Sequence, residues 1–232
     1  LEAVVNSFKT LKNLKLIGLH FHIGSQITDL SSFKSLCLRV NEIQTRFENH
    51  KIKIENVNVG GGLGVNYHEP DTYLISDFEA YFKLFSDFLE LRPGQKVHFE
   101  LGRAIVAQCG TLISKVLYIK KGVNTNFAIL DAGMTELMRP ALYQAYHKIE
   151  NISKMENGKW KIENGADTSS IHKYDVVGPI CESSDCFGKA VSLPQTERGD
   201  IIALRTAGAY GEVMSSAYNL RDRVKAIYSD EI

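Results

Sequence analysis

Hydrophobic and polar positions in the first half of the chain switch between two periods. Val4, Val5, Phe8 and Leu11 recur at helical spacing, and the apolar run Lys15–His22 then reads as a buried strand. From Ser31 to Asn49, Phe33, Leu36, Val40, Ile43 and Phe47 share one helical face, with Asp29 or Ser31 able to cap its start. Ile54–Val59 is a second strand and runs into three glycines, Gly60, Gly61 and Gly62. Asp77–Leu91 turns Phe78, Tyr81, Phe82, Phe85 and Phe88 inward on a second amphipathic helix, which Pro93-Gly94 breaks, and Lys96–Glu100 is a third strand. Strands alternating with helices predict parallel βα units, hence an α/β sheet or barrel. So few units do not close a barrel, and Leu1 already sits in a helical pattern, so the expectation is an N-terminally truncated sequence.

From Thr111 the texture changes. Thr111–Lys120, Phe127–Asp131, Trp160–Ile162, Tyr174–Val177 and Asp200–Leu204 are short β-rich runs split by turn residues. Asn151–Gly165 is polar and reads as an exposed hairpin or excursion. The second half is therefore expected to be a separate, mostly antiparallel β domain, with the boundary near Gln108–Thr111.

Composition narrows the function classes. The 232 residues carry 27 Lys+Arg against 27 Asp+Glu, and without a basic stripe a nucleic-acid partner is not expected. The four cysteines, Cys37, Cys109, Cys181 and Cys186, have neither metal-finger spacing nor a secreted disulfide pattern, so reduced thiols in the cytoplasm are expected. No run is apolar enough to span a bilayer, no membrane partner is expected, and the opening residues do not read as a signal peptide.

Functional groups of a parallel barrel gather at the carboxyl ends of its strands, and three strand ends here are polar. HFHIGSQ places His20 and His22 two apart, on one strand face beside Gly24-Ser25. The glycine loop is either a plain tight turn or a cradle whose backbone N–H groups reach an anion. HFELGR brings Glu100 and Arg103 to the end of the third strand. His-x-His also fits a zinc hydrolase, but no further His or Asp stands at the other strand ends and the glycine loop suits a phosphate better than a metal, so no metal is expected.

Six motifs, HFHIGSQ, NVGGGLG, ELGR, MRPALY, CESSD and AGAYG, stand in the order found in the diaminopimelate decarboxylases, which the chain resembles over essentially its whole length. These are pyridoxal 5′-phosphate enzymes of the alanine-racemase-like barrel class, related to ornithine and arginine decarboxylases. The resemblance implies an α/β plus β fold class. Residues 1–109 would be the C-terminal half of a (β/α)8 TIM-type barrel, and residues 110–232 a β-rich C-terminal domain. It implies that His22 lies against the pyridoxal ring and that Ser25, Gly60, Gly61 and Gly62 hold the phosphate. Glu100 would face the pyridine nitrogen and keep it protonated, Gly102 would also touch the cofactor, and Arg103 would touch its phosphate side and the substrate. Tyr210 would reach both cofactor and substrate.

For the substrate, meso-diaminopimelate, the resemblance assigns Arg139 and Tyr143 to the far carboxylate, aided by Arg103, because a guanidinium grips a carboxylate bidentately. Cys181 would be the proton donor and, with His22, a catalytic residue; Glu182 would bind the distal ammonium. The family's CESSD loop enters the neighbouring subunit's site, which implies a homodimer. Taken singly, Arg139 reads as a solvated charge, Tyr143 as a core aromatic and the other cysteines as small buried hydrophobes. The expected product is L-lysine. The family's cofactor-carrying lysine belongs to an upstream Lys-Ala-Asn-type motif absent from these residues, so this chain alone is expected to be inactive. Leu101 replaces the usual proline, which loosens the Glu100–Arg103 turn. Two rivals within reach of the resemblance are a decarboxylase of arginine, ornithine or carboxynorspermidine, and a catalytically dead regulatory homologue. Arg139 disfavours ornithine, whose cationic tail calls for a carboxylate.

Overall fold

Apolar periodicity in the first half folds into three strands backed by helices. The computed structural model describes residues 2–8, 10–156, 159–160 and 171–231. It separates into two units, Leu1–Val65 with Ile75–Ile105, and Asn66–Leu74 with Val106–Ile232.

The first unit runs α1 (Glu2–Phe8), β1 (Gly18–His20), α2 (Ser31–Asn49), β2 (Asn56–Asn58), α3 (Phe78–Phe88), β3 (Lys96–His98) and α4 (Gly102–Val106). The strands form a parallel sheet in the order β1-β2-β3. Its register aligns Leu19, Val57 and Val97 in one row and His20, Asn58 and His98 in the next. Adjacent residues of a strand point to opposite faces, so one face is apolar and packs on the helices while the other carries the histidines and asparagines. On α2, Phe33, Leu36, Val40 and Phe47 are buried, as the spacing predicts, and Ile43 packs against them from a partly buried position. Phe33 meets Tyr81 of α3 edge-on with centroids 5.0 Å apart. Asp29 steadies the start of α2 by accepting the Ser31 N–H at 2.9 Å, and Asp77 caps α3 through the Ala80 N–H at 2.9 Å.

Several boundaries differ from the sequence pattern. The strands pair over shorter spans than Lys15–His22, Ile54–Val59 and Lys96–Glu100, and Ile17 is exposed. Only one face of this sheet is covered by helices, so a continuous apolar run is not needed. Leu11 lies beyond α1 and is exposed, and Phe82 is half exposed, resting its edge on Phe99. Helix α3 stops at Phe88 because the buried Asn41 amide takes over the backbone there: it donates to the Phe88 carbonyl and accepts the Glu90 N–H, each at 2.9 Å.

The second unit holds β4 (Leu112–Lys121), β5 (Asn126–Leu130), α5 (Arg139–Tyr143), β6 (Ile149–Asn151), β7 (Met155–Glu156), β8 (Lys159–Trp160), β9 (His172–Val177), β10 (Cys186–Leu193) and β11 (Ile201–Leu204). Six of these strands make one sheet in the order β10-β9-β5-β4-β11-β6, antiparallel except for the parallel β5/β9 pair. Val116, Leu130, Val176, Leu193, Ile202 and Leu204 form its core. Strand β10 has no counterpart in the sequence reading. Its glycine, the left-handed Ala190 (φ 51°) and two register shifts against β9 hide the alternation. Strands β7 and β8 form a small hairpin; the remainder of the expected Trp160–Ile162 strand and of the polar excursion lies outside the described residues.

The sequence reading keeps residues 66–74 with the first half, whereas they cluster with the second unit. Asp71 pairs with Arg205 and, at 3.6 Å, with Lys148, while His68 stacks on Tyr146 at 4.1 Å. Arg205 and Lys148 share Glu150 as well, at 2.9 and 2.7 Å, so four alternating charges hold this segment.

Candidate functional site

In the first unit, β2 delivers the chain into the glycine loop, and backbone packing explains why glycine stands there. Gly60 and Gly62 adopt φ of 72° and 101°, and a Cβ on Gly61 would lie 2.0 Å from the Glu100 carbonyl oxygen. The HFHIGSQ loop is zipped to the same turn: Ile27 N–H donates to the Gly62 carbonyl at 2.8 Å and Gly64 N–H to the Ile27 carbonyl at 2.9 Å. The first-unit groups expected to act on a cofactor therefore lie around one loop.

Asn58, the last residue of β2, joins two of them. Its Oδ1 accepts the Gly60 N–H at 2.8 Å, and its Nδ2 donates to Glu100 Oε1 at 2.9 Å. His20 Nε2 lies 3.4 Å from the other Glu100 oxygen. The Asn58 bond is the largest cause holding the Glu100 carboxyl below its usual range; desolvation opposes it, and the His20 contact and the charge of His22 act in the same direction as Asn58. His20 ends β1, while His22 stands beyond it with Nδ1 3.5 Å from the Gly61 N–H, so one histidine faces the acid and the other the loop. Gly102 opens α4, and Arg103 on that helix donates from Nη2 to Ser25 Oγ at 3.0 Å.

Glycine backbone, a serine hydroxyl and a guanidinium are a donor set suited to a phosphate ester. A carboxylate held ionised beside them suits a protonated ring nitrogen. Among the described residues no group of three or more His, Cys, Asp and Glu is placed to hold a metal. No described helix is long and apolar enough to cross a membrane.

In the second unit Arg139 is buried rather than solvated. Its Nη1 lies 2.8 Å from His147 Nε2 and its guanidinium 4.9 Å from the centre of the Tyr67 ring. Tyr143, the last residue of α5, is exposed rather than a core aromatic. Tyr210 sits in the AGAYG turn, partly exposed, with a left-handed φ of 64°. Cys181 and Glu182 lie exposed on the CESSD turn, whose conformation depends on buried Asp185. That carboxylate accepts the Ile180 N–H at 2.7 Å and the Met134 N–H at 2.6 Å, in space left by Gly178 having no Cβ. Burial raises the Asp185 pKa, the two N–H bonds oppose the rise, and the charge of Glu136 adds to it. Glu182 accepts the Tyr218 hydroxyl at 2.5 Å. By contrast, the Cys37 thiol is pushed up to about 11 by burial, as fits a core residue.

Asn58, His147, Asp185 and Tyr218 were not singled out from the sequence. A polar residue ending a strand two positions before three glycines is a usable signal for Asn58; the other three depend on contacts distant along the chain.

The family described as pyridoxal-dependent decarboxylase, C-terminal sheet domain, matches residues 13–208. The chain is 55% identical to a diaminopimelate decarboxylase of Bacteroides thetaiotaomicron over all its residues, covering 57% of that protein. It is 38% identical to the Zymomonas mobilis diaminopimelate decarboxylase over 93% of its length, covering 48% of that relative. It therefore spans about half the length of the curated relatives it matches. Among solved structures, diaminopimelate decarboxylase from Helicobacter pylori complexed with L-lysine superposes with a TM-score of 0.79 at 36% identity, over 96% of this chain and 52% of that one.

Proposed function

We propose a function from one premise: this chain belongs to the pyridoxal-dependent decarboxylase family. The full-length protein decarboxylates meso-diaminopimelate to L-lysine with pyridoxal 5′-phosphate as cofactor. The observation that carries this reading is the Asn58 amide, which ties the Gly60 N–H and the Glu100 carboxylate into one geometry.

When bound, pyridoxal phosphate supplies an electron-accepting ring that takes up the pair left as carbon dioxide departs. Gly60, Gly61, Gly62, Ser25 and Arg103 would hold its phosphate, and Glu100 would keep a proton on the ring nitrogen. Gly102, at the start of α4, would also touch the cofactor, and His22 would lie against the ring. Arg139 and Tyr143, with Arg103, take the far carboxylate of the substrate, Glu182 its far ammonium, and Tyr210 serves both cofactor and substrate. Held at that distant end, the substrate presents its scissile carboxylate in a fixed orientation. Cys181 returns a proton to the carbon that has lost carbon dioxide. Its exposure and that of Glu182 support a homodimer in which this loop enters the neighbouring subunit's site. The first unit is read as the C-terminal part of a (β/α)8 barrel, through residue 109, followed by the β domain. A reducing cytoplasm suits four free thiols.

The test is carbon dioxide release by full-length protein from meso-diaminopimelate, L-ornithine, L-arginine and carboxynorspermidine, with cofactor absorption recorded before and after substrate. Turnover of diaminopimelate alone is expected. Preference for another substrate would move the assignment within the family, and absence of a cofactor band would replace it with a non-catalytic homologue.

A further inference from the structure

We propose that His147 is a positioning residue for Arg139: a neutral imidazole protonated at Nδ1 fixes the guanidinium in the orientation that receives the substrate's far carboxylate. The inference rests on the reading of Arg139 given above and adds what holds that side chain in place.

The tautomer follows from the two partners. His147 Nδ1 is 2.9 Å from the backbone carbonyl oxygen of Arg205, which can only accept, so Nδ1 carries the proton. Nε2 is then a bare lone pair, and it lies 2.8 Å from Arg139 Nη1, which can only donate. Neither the other neutral tautomer nor an imidazolium satisfies both contacts, because each sets N–H against N–H at Arg139. The ring has little freedom to turn away. His147 is 1% exposed and Arg139 6%, and Tyr67 packs its edge to the imidazole at 5.2 Å while lying 4.9 Å under the guanidinium. Nearby, the Arg205 side chain and Lys148 pair with Glu150 and Asp71. A guanidinium aimed in advance loses less freedom when it grips a carboxylate.

Two substitutions in the full-length holoenzyme separate this role from packing. In His147→Gln the side-chain oxygen takes the place of Nε2 and still accepts from Arg139. In His147→Asn the amide keeps the bond to the Arg205 carbonyl and falls short of Arg139. His147→Asn is expected to raise KM for meso-diaminopimelate and the inhibition constant of L-lysine roughly tenfold, with kcat changed less than about threefold. Inhibition by 1,5-diaminopentane, which is L-lysine without its carboxylate, should stay as in the unaltered enzyme, and His147→Gln should keep most of the L-lysine affinity. Equal losses in both variants, or an unchanged L-lysine to diaminopentane ratio in His147→Asn, would overturn the proposal. Arg139→Gln run in parallel separates the two levels. If it leaves L-lysine inhibition unchanged, the reading of Arg139 itself fails; if it weakens inhibition and His147→Asn does not, only the present inference fails. Should His147→Asn not fold, nitrogen NMR of the unaltered protein decides. The Nδ1-protonated neutral ring is expected at pH 7, and an Nε2-protonated or doubly protonated His147 would refute it.

Discussion

The two units place their polar side chains in opposite settings. In the first, Glu100 and His20 stand on the uncovered face of a three-stranded sheet, with side chains 51% and 58% exposed. In the second, Arg139, His147, Asp185 and Glu136 are buried, and each has a named partner. Water can solvate the first set, so its hydrogen bonds set geometry more than stability. Stripping water from the second set makes every bond costly to lose. The same residue types therefore set local geometry in one unit and hold the fold together in the other.

The largest effect separating the two settings is expected from Asp185→Ala. It leaves two buried N–H groups, those of Ile180 and Met134, without an acceptor, a loss of about 2–5 kcal/mol in urea unfolding. A pH series sharpens this. Because the folded-state pKa of Asp185 is raised above 3.8, the folded chain keeps that proton to higher pH than the unfolded chain. Its contribution thus favours folding in acid and is lost as pH climbs through the raised value, a slope that Asp185→Ala should remove. A second-unit contribution of the opposite slope would contradict the assignment.

Gly61→Ala comes next. The added methyl group meets the Glu100 carbonyl, so the loop and the β3 end separate. The full-length protein should lose about tenfold or more in pyridoxal phosphate affinity, read by fluorescence titration. Asn58→Ala should weaken cofactor binding by roughly tenfold, the worth of one bond to a charged group. The sign of its titration effect is fixed. Glu100 sits below 4.5 in the folded state, so its contribution is present above that value and fades as pH falls through the lowered one. Without the Asn58 donor its carboxyl should titrate at higher pH, visible by carbon NMR, while unfolding in urea barely changes. A large loss of stability would erase the contrast between the units. Smallest of all is Lys83→Ala, which removes an exposed helical pair to Asp87 at 2.9 Å; about 0.3–0.5 kcal/mol is expected, vanishing at high salt.

Much of this architecture is legible residue by residue. Helix α2 spans Ser31–Asn49 as its apolar spacing predicts, and Pro93-Gly94 lies in the turn beyond α3. Helical spacing survives because packing and capping act within a few residues. Strand ends and β10 are less legible, since a bulged strand with a glycine and a left-handed alanine carries no clean alternation. A glycine turn after a strand and an acid at a strand end were also readable, because both have local reasons to be where they are.

What the sequence alone determined is the type of each segment and the chemistry it carries: parallel βα units, a β-rich second half, an anion-suited glycine turn, an acid and two arginines. What only the tertiary structure decided is which partner each polar group meets. Asn58 and Glu100 are far apart in the chain, as are Arg139 and the Arg205 carbonyl that sets the tautomer of the histidine between them. A hydrogen bond depends on distance and direction to within fractions of an ångström, and no pattern of residue types specifies that until the strands are in register.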